Sequence, residues 1–116
     1  MLRTDNICIG KNVYIAHNVW INGVGGLSFG DNVIISPNCV IDTSRHVFQE
    51  GYVTHKAKFQ EISIGPGTWI AANSTISYGK RIGKNCLIGA NSVVTKDVED
   101  NTMVAGVPAK YIKKNK

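Results

Sequence analysis

The sequence predicts an all-β fold: a single domain, residues 1–116, wound as a parallel β-helix of about four triangular coils, with one long protruding loop and a short C-terminal cap. Three observations predict it. An apolar residue returns at every sixth position, a small or short polar residue follows almost every one, and Asn or Gly stands three residues after most of them.

The apolar anchors are Ile9, Ile15, Ile21, then Phe29, Ile35, Ile41, then Ile64, Ile70, Ile76, then Ile82, Ile88, Val94. Gly10, Ala16, Asn22, Gly30, Ser36, Asp42, Gly65, Ala71, Ser77, Gly83, Gly89 and Thr95 follow them. Four residues after the anchors come Val13, Val19, Val33, Cys39, Thr68, Ser74, Cys86, Ser92 and Val98, small or β-branched side chains that suit a narrow interior. A period of six is far from a multiple of the helical 3.6, and Ile, Val, Gly and Asn are poor helix formers.

Asn12, Asn18, Asn32, Asn38, Asn73, Asn85 and Asn91, with Gly67 and Gly79, occupy the third position after their anchors. Asn and Gly enter left-handed backbone conformations at least cost, so their regular return implies a turn every six residues. A flat strand cannot turn so often. Three six-residue sides close a triangle of 18 residues, with the isoleucines stacked inside.

Coils open at Ile9, Phe29, Ile64 and Ile82. The first interval exceeds 18 by two residues, which are expected within Gly23–Gly26. The second exceeds it by 17, which predicts a loop over roughly Asp42 to Ser63. The segment from Asp100 to Lys116 is expected to close one end of the stack with Val104, Val107, Tyr111 and Ile112. Only eight residues precede Ile9, a thin cap for the other end. Stacked coils stabilise one another additively and need closed ends. The narrow core therefore predicts outer faces packed against copies of the chain, and Trp20 and Trp69, each last in its unit, point outward as interface residues.

A composition of 43% apolar and 18% charged residues is that of a globular chain. No apolar run approaches the roughly 20 residues that span a bilayer, and MLRTDNICIG has no signal-peptide core, so a cytoplasmic protein without membrane insertion is expected. Cys8, Cys39 and Cys86 are too widely spaced for a CxxC motif and read as reduced, buried side chains. The net charge of +5 owes much to Lys110, Lys113, Lys114 and Lys116. Such a tail suits one phosphate-bearing ligand, lacks the broad basic stripe of a nucleic-acid binder, and for Lys114 and Lys116 reads as solubilising charge.

The stretches IGKNCLIGANSVVTKDV and NTMVAGVPAKYIKK, on top of a hexad pattern covering nearly the whole chain, resemble the hexapeptide-repeat acyltransferases, in the branch of galactoside, maltose and surface-polysaccharide O-acetyltransferases. The resemblance implies a left-handed β-helix, a homotrimer, and acetyl-CoA as co-substrate lying in a groove between subunits, with no metal. It also implies transfer of the acetyl group to a hydroxyl of a sugar or polysaccharide precursor. In CVIDTSRHV it puts His46 at the position of the catalytic base, where imidazole suits proton transfer near neutral pH. Related enzymes commonly carry Pro after this His; here it is Val47, a departure that bears on the loop's path and not on the chemistry. The same resemblance gives the Ala72 backbone N–H to the oxyanion, Asn22 to holding the acceptor or orienting the base, Ala90, Thr95 and Lys96 to the pantetheine arm, and Lys110 and Lys113 to the 3′-phosphate. Lysine binds that phosphate as a point charge, without the fork of Arg.

His17 reads as a solvated turn residue and His55 as a loop residue, while Trp69 also has a place at the edge of the active site. Two alternatives stand beside the transferase: a non-catalytic solenoid, since relatives often carry a further N-terminal segment, and a zinc enzyme resembling the γ-type carbonic anhydrases, which take three His from two subunits.

Overall fold

The computed structural model describes residues 2–3 and 6–115, with side chains from Asn6 onward; Lys116 lies outside them. Its strands form three parallel sheets, the faces of a triangular prism. Face one holds β1 (Leu2–Arg3), β4 (Trp20–Asn22), β7 (Val40–Asp42), β12 (Thr75–Ile76) and β15 (Val93–Val94). Face two holds β2 (Ile7–Ile9), β5 (Leu27–Phe29), β10 (Ile62–Ile64) and β13 (Arg81–Ile82). Face three holds β3 (Tyr14–Ile15), β6 (Ile34–Ile35), β11 (Trp69–Ile70), β14 (Leu87–Ile88) and β16 (Thr102–Gly106), with β17 (Ala109–Lys114) added antiparallel at its edge. The fold is a left-handed parallel β-helix.

Every hexad anchor lies in register with its counterparts: Ile9, Phe29, Ile64 and Ile82 on face two, Ile15, Ile35, Ile70 and Ile88 on face three, Ile21, Ile41, Ile76 and Val94 on face one. Ten of the twelve are buried; Ile9 (57% exposed) and Ile15 (36%) lie on the first coil, where β2 and β3 are edge strands. The stretch before Ile9 does more than thinly cap the stack, since β1 adds a strand to face one through Leu2 and Ile21. The inner turn positions hold small groups that bond to the next coil: Thr68 Oγ1 donates to the Gly83 carbonyl at 2.8 Å and Ser74 Oγ to that of Gly89 at 3.0 Å. Among the described residues no buried side-chain polar atom lacks a partner, as an interior without water requires.

All nine turn residues read from the sequence have positive φ, from 53° to 73°. At two corners they stack, and Asn12 Nδ2 donates to Asn32 Oδ1 at 2.9 Å, Asn18 to Asn38 at 2.6 Å and Asn85 to Asn101 at 3.3 Å. At Gly67 a side chain would collide with the Asn85 amide oxygen.

The corner between faces one and two behaves differently. In the first coil it carries the extra residues, as a turn closed by the Gly26 N–H on the Gly23 carbonyl. In the second coil it carries an arm. The expected loop of residues 42–63 is an antiparallel hairpin, β8 (Ser44–Gln49) and β9 (Tyr52–Phe59), while Asp42 and Ser63 belong to the solenoid strands β7 and β10. Glu50 and Gly51, at φ 53° and 82°, form its two-residue turn, the pattern of a type I′ hairpin. Leu27 and Ile62 are buried beside this corner, two positions before an anchor and therefore on the inward side of the same strand, and Thr43, just past the end of β7, is buried with them.

The cap also differs from expectation. Val98 pairs with Ile82 and Val104 with Ile88, so the wall continues as a partial fifth coil, shortened by two residues. Val104 and Thr102 are buried there, but Val107, Tyr111 and Ile112 are exposed, because β17 lies along the rim of face three and not across the open end. Cys39 and Cys86 are buried; Cys8 is exposed on the edge strand β2. Trp69 is exposed, its Nε1 donating to Ser36 Oγ at 2.8 Å, and Trp20 is half-buried.

Candidate active site

The arm is rooted by a polar network at the face one–face two corner. Asn22 Oδ1 accepts the Val24 N–H at 3.2 Å, which fixes the amide's orientation and turns Nδ2 toward Ser44 Oγ at 3.3 Å. Ser44 donates both its hydroxyl (2.7 Å) and its N–H (2.9 Å) to Asp42 Oδ1. Thr43 Oγ1 donates to the Asn22 carbonyl and accepts the Gly25 N–H. Asn22 thereby ties the first-coil turn to the strand that carries His46.

His46 is exposed on β8 opposite Ala57, just before a bulge that separates it from Phe48. Its Nδ1 lies 3.0 Å from the Thr54 carbonyl. A carbonyl only accepts, so Nδ1 carries a proton, and in the neutral form of the ring the lone pair then falls on Nε2. Thr54 in turn donates its hydroxyl to the Val47 carbonyl at 2.6 Å, closing the bulge. The residue is exposed, and its ring is held at Nδ1.

Ala72 sits at another corner, where face three turns into face one. Its carbonyl accepts the Asn91 N–H at 2.9 Å, and its N–H donates to no acceptor among the described residues. Ala90 occupies the same turn one coil on and is exposed. Thr95 and Lys96 return to the corner of the arm. Thr95, Asp42, Ser44, Arg45, Tyr78 and Lys80 line a cavity of about 390 Å³. A second cavity of about 460 Å³, at the end of the prism, brings together Lys96, Lys110 and Tyr111; Lys113 lies outside its lining. One chain thus puts His46 and Ala72 at opposite edges of face one and does not bring them together. Arg45 and Tyr78, absent from the sequence reading, meet with the guanidinium 5.1 Å from the ring centroid; a solvated loop cation beside a turn aromatic left no periodic signal.

Cys39 is no nucleophile in this setting. Burial pushes its thiol pKa up, against weaker opposing backbone hydrogen bonds. The three histidines do not gather, and among the described residues no three His, Cys, Asp or Glu side chains stand close enough to hold a metal ion. No helix is long and apolar enough to cross a membrane.

Residues 61–96 match the family model described as bacterial transferase hexapeptide (six repeats). The galactoside O-acetyltransferase of Escherichia coli (strain K12) is 38% identical over 110 residues, 94% of this chain and 54% of that protein. A maltose O-acetyltransferase from Clostridium difficile 630 superposes with a TM-score of 0.88 at 34% identity, covering 97% of this chain and 60% of that one. A hexapeptide-repeat acetyltransferase from Vibrio cholerae O1 biovar eltor, solved with acetyl coenzyme A, gives 0.87 at 29% identity, with 97% and 62% covered. The chain spans about half the length of the curated relatives it matches.

Proposed function

The chain belongs to the hexapeptide-repeat acyltransferases, and on that premise we propose that it transfers an acetyl group from acetyl-CoA to a hydroxyl of a sugar or surface-polysaccharide precursor, as a cytoplasmic homotrimer. The observation that carries the reading is the bond from His46 Nδ1 to the Thr54 carbonyl, which leaves Nε2 ready to accept a proton. The acceptor hydroxyl gives its proton to Nε2 as its oxygen attacks the thioester carbonyl. The tetrahedral oxyanion is held by the free Ala72 N–H; the C–S bond then breaks, and the imidazolium returns the proton to the leaving thiolate. No covalent enzyme intermediate is needed. Asn22 acts as a positioning residue through Ser44, two residues before His46 on the same side of β8.

The trimer reading rests on the separation of His46 from Ala72 and on the arm itself. The strands of the arm pack extensively only against each other, and they expose Phe48, Tyr52 and Val53. A neighbouring copy laid along face one covers those side chains and brings a second Ala72 edge to the imidazole. In this arrangement Ala90, Thr95 and Lys96 flank the pantetheine arm, and Lys110 with Lys113 meets the 3′-phosphate. The three free thiols and the use of acetyl-CoA agree with a cytoplasmic site of action.

The test is thiol release from acetyl-CoA with a panel of sugars, comparing the unaltered chain with His46→Ala. A loss of roughly 10²–10⁴ in kcat with acetyl-CoA affinity retained is expected; undiminished turnover in the variant refutes His46 as base.

A further inference from the structure

The arm has two chemically distinct sides. On one lie Ser44, His46 and Ala57. On the other, Arg45 stands directly opposite Lys58 in the antiparallel ladder, with Lys56 two residues along the same strand. Like charges facing each other across a ladder repel, and the one carboxylate within the hairpin, Glu50, lies at its far turn. Arg45 also reaches the cavity at the root of the arm, which Lys80 lines from the solenoid. The carboxylate there, Asp42, has Oδ1 occupied by both donors of Ser44.

Tyr78 completes the arrangement. The Arg45 guanidinium lies over its ring, 5.1 Å from the centroid, a cation–π contact that holds the charge in place without consuming its hydrogen-bond donors on another acceptor. A held guanidinium and the Lys80 ammonium line one cavity of sugar size, and Lys58, outside that lining, stands across the ladder from Arg45; together they make this corner a receptor for a negative charge. The cavity is also bordered by Thr95 and by Ser44, so it adjoins both the donor track and the strand of His46.

We propose that Arg45, Lys58 and Lys80 bind an anionic group, a carboxylate or a phosphate, on the acceptor, so that the acceptor is an acidic or phosphorylated sugar and not a neutral one. This inference rests on the transferase reading above and refines it, since the lysines at the end of the prism already serve the donor's phosphate in that reading. The anion relieves the repulsion between Arg45 and Lys58, and charge-assisted hydrogen bonds to it are the strong kind.

The test is a binding titration of the full chain, at low and high salt, with a glucuronic acid-containing disaccharide, galactose 1-phosphate, and the neutral disaccharide and galactose as references. Acetyl-CoA is titrated in parallel. At least one anionic probe should bind about tenfold or more tightly than its neutral reference, with the preference shrinking as salt rises. Lys58→Gln and Lys80→Gln should each erode that preference while leaving acetyl-CoA affinity unchanged; Lys58→Gln also removes a like-charge pair, so unfolding does not explain its effect. Equal binding of anionic and neutral probes overturns the proposal. So does a parallel loss of acetyl-CoA affinity in the variants, which assigns the cations to the donor. A chain that prefers the anionic probe yet releases no thiol with any sugar keeps the anion site and refutes acetyl transfer, whereas efficient transfer to neutral sugars alone does the reverse.

Discussion

Replacing Ile70 by Ala tests the interior column at its centre. Ile70 is fully buried and stacked in register between Ile35 and Ile88, both fully buried as well. The change removes three carbons, a transfer loss of about 2.4 kcal/mol at about 0.8 per buried CH₂. Hydrogen-bonded ladders on either side keep the neighbouring strands from collapsing into the space, so a cavity term adds to it and the total is expected near 3–4 kcal/mol, within the usual range for Ile→Ala. Ile9 is the internal control. It has the same chemistry and the same place in the repeat, but 57% of it is exposed, so Ile9→Ala should cost about 1 kcal/mol or less. Urea unfolding followed by circular dichroism, at one protein concentration because association shifts apparent stability, gives both values. Equal losses at the two positions, or a loss below about 1 kcal/mol at Ile70, refute the claim that a stacked isoleucine column holds the fold together.

Asn38, at φ 65° and bonded to Asn18, should lose about 1–2 kcal/mol on replacement by Ala and less on replacement by Gly, which reaches that conformation freely; urea midpoints check the order. Under native conditions a thiol reagent should label Cys8 first, with Cys39 and Cys86 protected until unfolding, as mass spectrometry of peptides will read. Burial keeps the Cys39 thiol protonated above its ordinary value of 9.0, so the unfolded chain releases that proton first as pH rises. Stability therefore declines above about pH 9, and Cys39→Val should flatten that decline in a series of urea midpoints. Lys110→Gln should weaken binding of acetyl-CoA but not of its 3′-dephospho analogue; equal weakening of both removes Lys110 from the phosphate site.

The solenoid was legible because its physics is periodic. One side chain in six must point inward and one residue in six must take a left-handed turn, so Ile35, Ile70 and Asn73 announce their roles by spacing alone. The handedness entered only with the resemblance to known transferases. The arm was legible as extra length but not as a hairpin: its turn is Glu50–Gly51, not the Asn-Gly or Asp-Gly that marks such turns most clearly. The cap misled because Val107, Tyr111 and Ile112 are apolar and follow the last coil, yet β17 pairs along the edge of face three and leaves them exposed. His46 was found through the resemblance, but its partner is the Thr54 backbone, and a carbonyl contact leaves no mark in the sequence. Arg45 and Tyr78 are 33 positions apart and meet only because the arm springs from the corner that Tyr78 occupies.

Departures from strict hexad length fall at one edge of the prism. That corner is two residues long in excess after Ile21, holds the whole arm after Ile41, is regular after Ile76 and is two residues short after Val94. The other two edges are laced by asparagine side chains and leave no slack. The molecule is therefore built like a bound book: two edges are stitched, and the third is open, where leaves of any length can be inserted without disturbing the binding. A recognition peptide, a fluorophore or a different acceptor-binding segment grafted between Ile76 and Ile82, or in place of residues 44–59, meets the only edge whose spacing the stack does not dictate.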